Sequence, residues 1–217
     1  AWKTVSSKYL FRRPWLTVRC EDMLLPNGNH IPEYYILEYP DWVNTIAITK
    51  DGKFVFVRQY RPGLGRTSYE LCAGVCDKED ASPLVSAQRE LWEETGYGKG
   101  NWQEYMVISA NPSTHTNLTH CFLATDVEPI DHQHLEDTED LSVHLLTFEE
   151  VKQLLENNKI MQSLNAAPLW KYVAEHAADF EQESVEKVEH EKRKPSHTVS
   201  TICFIIRTQF HGLCPVF

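Results

Sequence analysis

The chain of 217 residues carries 31 acidic against 21 basic side chains, a formal net charge of −10 at pH 7. That length suits one generous domain, or a domain with an appended segment, and is ample for a real core. The acidic surplus argues against a general nucleic-acid binder, whose affinity comes from neutralising phosphates.

Six cysteines (Cys20, Cys72, Cys76, Cys121, Cys203 and Cys214) are scattered without CxxC pairs, so free thiols in a reducing cytosol are expected. No apolar run approaches the roughly 20 residues that span a bilayer, and no secretory signal is recognised at the start. The expected location is cytoplasmic.

In chain order, residues 1–40 read as short strands and turns. Stretches 16–20 and 34–37 are rich in β-branched, aromatic and aliphatic residues, and Pro26, Asn27, Gly28 and Asn29 between them are turn chemistry. A strand over 43–49, a turn at Asp51-Gly52 and a buried strand over 54–60 follow. Pro62, Gly63 and Gly65 break that run, and a short strand over 69–73 delivers Gly74. Ser82 then offers a hydroxyl N-cap with Pro83 at the first helical position. The spacing predicts a helix to about Thr95 with Leu84, Ala87 and Leu91 as its apolar stripe, closed by Gly96. Strands over 104–109, 120–125 and 141–146 come next, then helices near 148–156 and 163–176. Strands mixed with helices on both sides imply an α/β sandwich. Beyond Phe180 the character changes to a charge run over 181–194, then a polar stretch with an apolar patch at 202–206.

The helix closed by Gly96 carries the chemistry. Glu90, Glu93 and Glu94 stand at i, i+3 and i+4, so their carboxylates share one face. Packed carboxylates repel, and a hard cation such as Mg²⁺ or Mn²⁺ relieves that repulsion. Taken alone the trio is more often a solvated acidic face. Here Arg89 precedes it, placed to orient a glutamate by a bidentate pair, with Gly74 before and Gly96 after.

This arrangement resembles the Nudix box, G-x5-E-x7-R-E-U-x-E-E-x-G-U, where U is bulky. The second half matches position for position through Gly96, with Tyr97 at the last bulky position. The first half holds one residue too many between Gly74 and Arg89, so Glu79, Asp80 or Ala81 falls at the family's loop glutamate. The segment Arg58-Gln59-Tyr60-Arg61 is similar to one preceding the box in the ADP-ribose and nucleotide-sugar branch, as are Glu70 and the Ala73-Gly74 step. Leu71-Cys72 departs from that branch, which usually has an aromatic or aliphatic residue and a proline there.

The resemblance implies a three-layer α/β/α Nudix fold with a mixed central sheet and a small N-terminal β-sheet. It implies metal-dependent hydrolysis of a nucleoside diphosphate linked to another moiety, with ADP-ribose to AMP and ribose 5-phosphate as the leading expectation. Glu90, Glu93, Glu94 and the Ala73 carbonyl would hold Mg²⁺ or Mn²⁺, with Glu94 and Arg89 in the catalytic machinery, while Arg61 and Glu70 would contact substrate. The acidic run Glu136, Asp137, Glu139 resembles the loop that lays a glutamate over the metal site. Glu139 is the best-placed base by its distance from the following strand, with Glu136 and Asp137 as alternatives. Trp42 could stack on a base, although a tryptophan before a strand is more often core. His132 and His134 flank Gln133, and His115 and His120 lie across a loop–strand boundary, so no zinc site is expected.

The expected division is a dimerisation region over 1–40, a hydrolase domain over 41–178 and a charged extension over 179–217. In this branch the N-terminal strands form a sheet that completes the pocket across a homodimer. The partner is then a small-molecule nucleoside diphosphate derivative, with no nucleic acid and no membrane. Two rivals stand beside this reading: a hydrolase of another sugar nucleotide such as GDP-mannose, and a non-catalytic Nudix-like sensor. The sensor is disfavoured because all three helix glutamates and Arg89 are present.

Overall fold

The apolar runs after Trp42 and Phe54 cannot be left in water, and they form the centre of the molecule. The computed structural model describes residues 1–193 and separates into a unit of Ala1–His176 and a second beginning at Ala177. Three antiparallel strands open the first unit: β1 (Lys3–Arg13), β2 (Leu16–Leu24) and β3 (His30–Glu38), ordered β1-β2-β3. The turn at Leu25–Asn29 between β2 and β3 uses Gly28 at φ 87°, a left-handed conformation that glycine adopts without strain.

The remaining strands build an eight-stranded sheet. Its members are β4 (Trp42–Thr49), β5 (Phe54–Arg61), β6 (Arg66–Glu70), β7 (Cys72–Val75), β8 (Tyr97–Gly98), β9 (Asn101–Ile108), β10 (Thr119–Pro129) and β11 (Leu141–Leu146). The order is β11-β5-β4-β10-β8, with β6 on β5, β7 on β4 and β9 on β10. Only the β4–β10 pair is parallel among the described pairs of this sheet, which makes the sheet mixed. The expected single strand over 69–73 is two: β6 pairs with β5, and the chain steps across at buried Leu71 to pair β7 with β4. Strands β1 and β8 lie beyond the elements read from the sequence.

One face of the sheet packs on α1 (Pro83–Thr95), where Val43 meets Ala87 and Phe122, and Ala47 and Val55 meet Leu91. The other face meets α2 (Phe148–Glu156) and α3 (Ser163–Arg193): Phe54 packs against Phe148 and Tyr172. The result is the expected three-layer α/β/α sandwich with a small N-terminal sheet. Thr147 caps α2 through a capping box with Glu150. The helix expected to end near 176 continues to Arg193, so the charge run is helical over that length.

Pro168 lies inside α3 and has no N–H for the carbonyl four residues back, that of Leu164. Asn44 of β4 supplies the missing donor, with its Nδ2 2.7 Å from Leu164 O. A polar residue in an otherwise apolar strand thus has a structural partner 120 residues away. Among the described residues no helix is long and apolar enough to cross a membrane. Cys20, Cys72, Cys76 and Cys121 are free thiols. Cys203, Cys214 and the apolar patch at 202–206 lie outside the described residues.

Candidate functional site

Helix α1 is held in register at both ends. The Ser82 hydroxyl accepts from Val85 N–H, and Gly96 at φ 73° closes the other end with its N–H on Trp92 O. With Ala87 and Leu91 turned into the core, the adjoining edge carries Glu90 and Glu94 onto β7, with Glu93 beside them one step further round. Gly74 permits the close approach: a Cβ there would lie 2.0 Å from the Glu90 carboxyl carbon. No other residue fits that position without moving Glu90.

Glu94 is the most enclosed of the three, 5% exposed, and accepts the Ala73 N–H at 3.1 Å. Burial pushes its carboxyl up to about 7, although the Cys72 thiol and the Ala73 amide favour the charged form. Burial also raises the Glu90 carboxyl, partly offset by Arg89. The Cys72 thiol, fully enclosed beside Glu94, is pushed well above its ordinary value by burial and by the surrounding carboxylates.

Arg89 ties the cluster together, sharing one nitrogen between two glutamates where a bidentate pair on one was expected. Its Nη1 reaches Glu90 at 3.0 Å and Glu93 at 2.9 Å, while its other nitrogens reach Asp80 at 3.1 and 3.2 Å and Val75 O at 3.2 Å. Of the three residues open for the loop carboxylate, Asp80 is the one in the cluster. It lies six positions after Gly74, as in the box, so the extra residue falls between Asp80 and Arg89. A hydrogen bond from Ser86 and the Arg89 pair lower the Asp80 carboxyl.

The acidic loop approaches the same face. The charge of Glu139 raises both Glu90 and Glu94, whereas its carboxylate accepts the Glu136 N–H at 2.9 Å. Glu136 and Asp137 are exposed in the same turn. Oxygen donors dominate: three helix carboxylates, Glu139 nearby and the adjoining Ala73 backbone. That set fits a hard divalent cation better than a soft one.

Beside the carboxylates lies a pocket of about 240 Å³, lined by Trp42, Asn44, Arg61, Ala73, Thr119 and Asn165 among others. Arg61 is clamped on Glu70 through Nε at 2.9 and 3.0 Å and Nη2 at 2.5 Å, and the Glu70 side chain is only 3% exposed. The pair holds Arg61 at the pocket wall as a fixed fork. Trp42 is half-buried against Tyr39 and His115, with ring centroids at 5.4 and 6.3 Å, and retains a surface on the pocket.

Thr119 and Asn165 were not anticipated from sequence. Together with Asn44 they line the pocket while Asn44 Oδ1, Thr119 Oγ1 and Asn165 Oδ1 have no hydrogen-bond partner among the described residues. A buried polar atom without a partner is costly, and a cluster of three beside Arg61 marks a wall built for polar company. Asn44 in an apolar strand was the signal available. Asn165 carries none without the fold.

Comparison with known proteins gives the same outline. Residues 2–37 match the nucleoside diphosphate sugar hydrolase N-terminal domain, and residues 39–166 match the NUDIX domain. The chain is 30% identical to an ADP-ribose pyrophosphatase of Bacillus subtilis over 165 residues, 76% of this chain and 88% of that protein. It is 30% identical to a GDP-mannose pyrophosphatase of Escherichia coli over 123 residues, covering 52% of this chain and 62% of that one. A solved structure described as an ADP compounds hydrolase superposes with a TM-score of 0.72 at 21% identity, over 82% of this chain and 95% of the other. At that identity the last likeness speaks for the fold.

Proposed function

The chain belongs to the Nudix hydrolase family, and from that premise we propose that this pyrophosphatase cleaves ADP-ribose to AMP and ribose 5-phosphate. Nudix hydrolases generally depend on a divalent metal; for this chain we assign Mg²⁺, with Mn²⁺ able to replace it, to Glu90, Glu93, Glu94 and the Ala73 carbonyl. A cation bound there supplies charge neutralisation at the diphosphate oxygens and lowers the pKa of water.

The protein's own groups do the rest. Arg61, fixed by Glu70, faces the diphosphate with the nitrogen not spent on that carboxylate. Trp42 offers a face for the base, and Asn44, Thr119 and Asn165 meet hydroxyl groups. Arg89 keeps Glu90 and Glu93 aligned. Glu139 swings from the Glu136 amide to take the proton of the attacking water as one P–O bond forms and the bridging P–O bond breaks. The leaving phosphate carries off the bridging oxygen, and the proton is released to solvent. Enzyme and Glu139 carboxylate are then restored.

The observation that carries this reading is the gathering of three carboxylates at one place, Glu90 against Gly74, Glu94 on the Ala73 amide and Glu93 joined to Glu90 through Arg89, beside a pocket walled by Arg61. The decisive assay incubates the protein with Mg²⁺ and ADP-ribose, GDP-mannose, UDP-glucose, NADH and diadenosine polyphosphates, with products separated by chromatography. AMP from ADP-ribose at the highest kcat/KM is expected. GMP from GDP-mannose in its place would transfer the assignment to the nucleotide-sugar relative, and no product from any substrate would refute the catalytic reading. The Glu139 role fails if Glu139→Gln retains near-normal turnover, in which case Glu136 and Asp137 are the next candidates.

The N-terminal sheet completes the proposal. Trp2, Val5, Leu10, Phe11 and Trp15 are all more than 40% exposed, Trp15 at 84%, an apolar display that single soluble domains rarely keep. Covering by a second copy makes the working unit a homodimer. Sedimentation of a monomer at micromolar concentration would overturn it.

A further inference from the structure

After β10 the chain folds back over the C-terminal end of α1 and is tied there by its backbone. Ile130 N–H and Asp131 N–H both donate to Gly96 O, at 2.9 and 3.1 Å, and His134 N–H donates to Glu93 O at 2.8 Å. Gln133 Nε2 adds a bond to Glu94 O at 2.7 Å. The approach is so close that a Cβ on Gly96 would lie 2.3 Å from Asp131 O. The His134 ring lies over Trp92, centroids 4.2 Å apart, so its direction is set as well.

This frame gathers three metal-binding side chains that the sequence alone showed merely as neighbours. Asp131 lies 2.7 Å from His132 Nδ1 and 2.9 Å from His134 Nε2, using one carboxylate oxygen for each. One ligand atom from each of the three falls within 4.8 Å of the others. A tetrahedral ion with bonds of ~2.0–2.1 Å holds its ligand atoms roughly 3.3 Å apart. To admit one, the two contacts of Asp131 open by about half an ångström, and the widest separation in the set, at most 4.8 Å, closes towards that spacing.

We propose that Asp131, His132 and His134 form a second metal site, distinct from the helix carboxylates, that takes a borderline transition ion of the Zn²⁺ class. Two imidazoles and one carboxylate suit Zn²⁺, Co²⁺ or Ni²⁺ and do not suit Mg²⁺, which prefers oxygen and keeps its waters. Three protein ligands leave one position for water. The location adds a second, independent reason. The carbonyls of Glu93, Glu94 and Gly96 end the helix here, and the negative end of a helix dipole favours a cation. An ion bound there fixes the segment five residues ahead of Glu139, at the root of the loop that bears on the carboxylate face.

The test is calorimetric titration of Zn²⁺ into the untagged full chain at saturating Mg²⁺, so that the carboxylate face is already engaged. Cobalt is titrated in parallel, and the intensity of its visible absorption reports whether the bound ion is four-coordinate. One Mg²⁺-resistant equivalent is expected. It should persist in Glu90→Gln and weaken by at least about 10-fold in His132→Ala and in Asp131→Asn, since loss of outer partners alone costs 10–100-fold at metal sites. His132 is 78% exposed, so its removal leaves the fold intact. Zn²⁺ binding that Mg²⁺ abolishes, or affinity unchanged in both variants, would overturn the site.

Discussion

Strands β1 and β4 are built from the same backbone geometry and live in opposite surroundings. All eleven residues of β1 are exposed, whereas seven of the eight in β4 are buried. Strand β4 lies between β10, β5 and β7 with helices on both faces, so every side chain on it has a neighbour. Among the described residues strand β1 is paired only with β2, and it carries Val5, Tyr9, Leu10 and Phe11 exposed. Hydrogen bonding makes a strand, but burial depends on what covers it. The central sheet is covered on both faces, and among the described residues β1 is not. The same contrast separates the site's floor, where a single added methyl would collide, from a surface left open.

The sharpest way to probe the covered region is to change one oxygen in it. Glu94→Gln should lower kcat/KM for ADP-ribose by more than about 100-fold, beyond the 10–100-fold typical of groups that only support metal ligands. Its melting temperature should not fall, because the amide keeps the shape and removes a buried charge. The same carboxyl gives the chelator-treated protein a pH signature. With the folded carboxyl held near 7 and the unfolded one near its ordinary value, the folded state binds the extra proton between those limits. Stability therefore falls as pH rises from about 4.5 to 7, by on the order of 3 kcal/mol, and levels off above. Denaturant melts across that window should show the slope in the wild type and not in Glu94→Gln.

Gly74→Ala is the next largest effect. The methyl displaces Glu90, and activity should drop about 10–100-fold, while Gly63→Ala, where nothing lies within 4 Å, should match the wild type in the same assay. On the N-terminal sheet, Phe11→Ser with Trp15→Ser should convert the proposed dimer to monomers in sedimentation without loss of helix or strand content by circular dichroism. Preservation of a dimer would mean that this face is covered by something else. The smallest effect belongs to the polar thread through the core. Asn44→Leu leaves Leu164 O without a donor and should cost about 1–3 kcal/mol in urea melts.

Much of this molecule was legible in its sequence because the signals are local. Ser82, Pro83 and Gly96 bound a helix by their own backbone chemistry, and Glu90, Glu93 and Glu94 share a face by spacing alone. The 141–146 strand and the 148–156 helix lie where periodicity and composition put them. The step at Leu71 was not visible, because a chain that changes neighbours leaves no mark on the strand pattern. Asp80 could not be chosen over Glu79 until Arg89 was seen to reach it. Pairing of Asn44 with the carbonyl freed by Pro168, and the gathering of Asp131, His132 and His134 over a helix end, depend on contacts that only tertiary structure creates.

The thiol of Cys72 has one more use. It sits on β7 against Glu94, wholly enclosed and held in its neutral form, while Cys20 and Cys76 are partly open. A thiol-modifying reagent reacts with the thiolate of an accessible cysteine, so in the folded protein Cys72 reacts only during the moments when β7 and α1 part. Its labelling rate is a clock for the breathing of the catalytic floor, already installed and needing no probe to be attached.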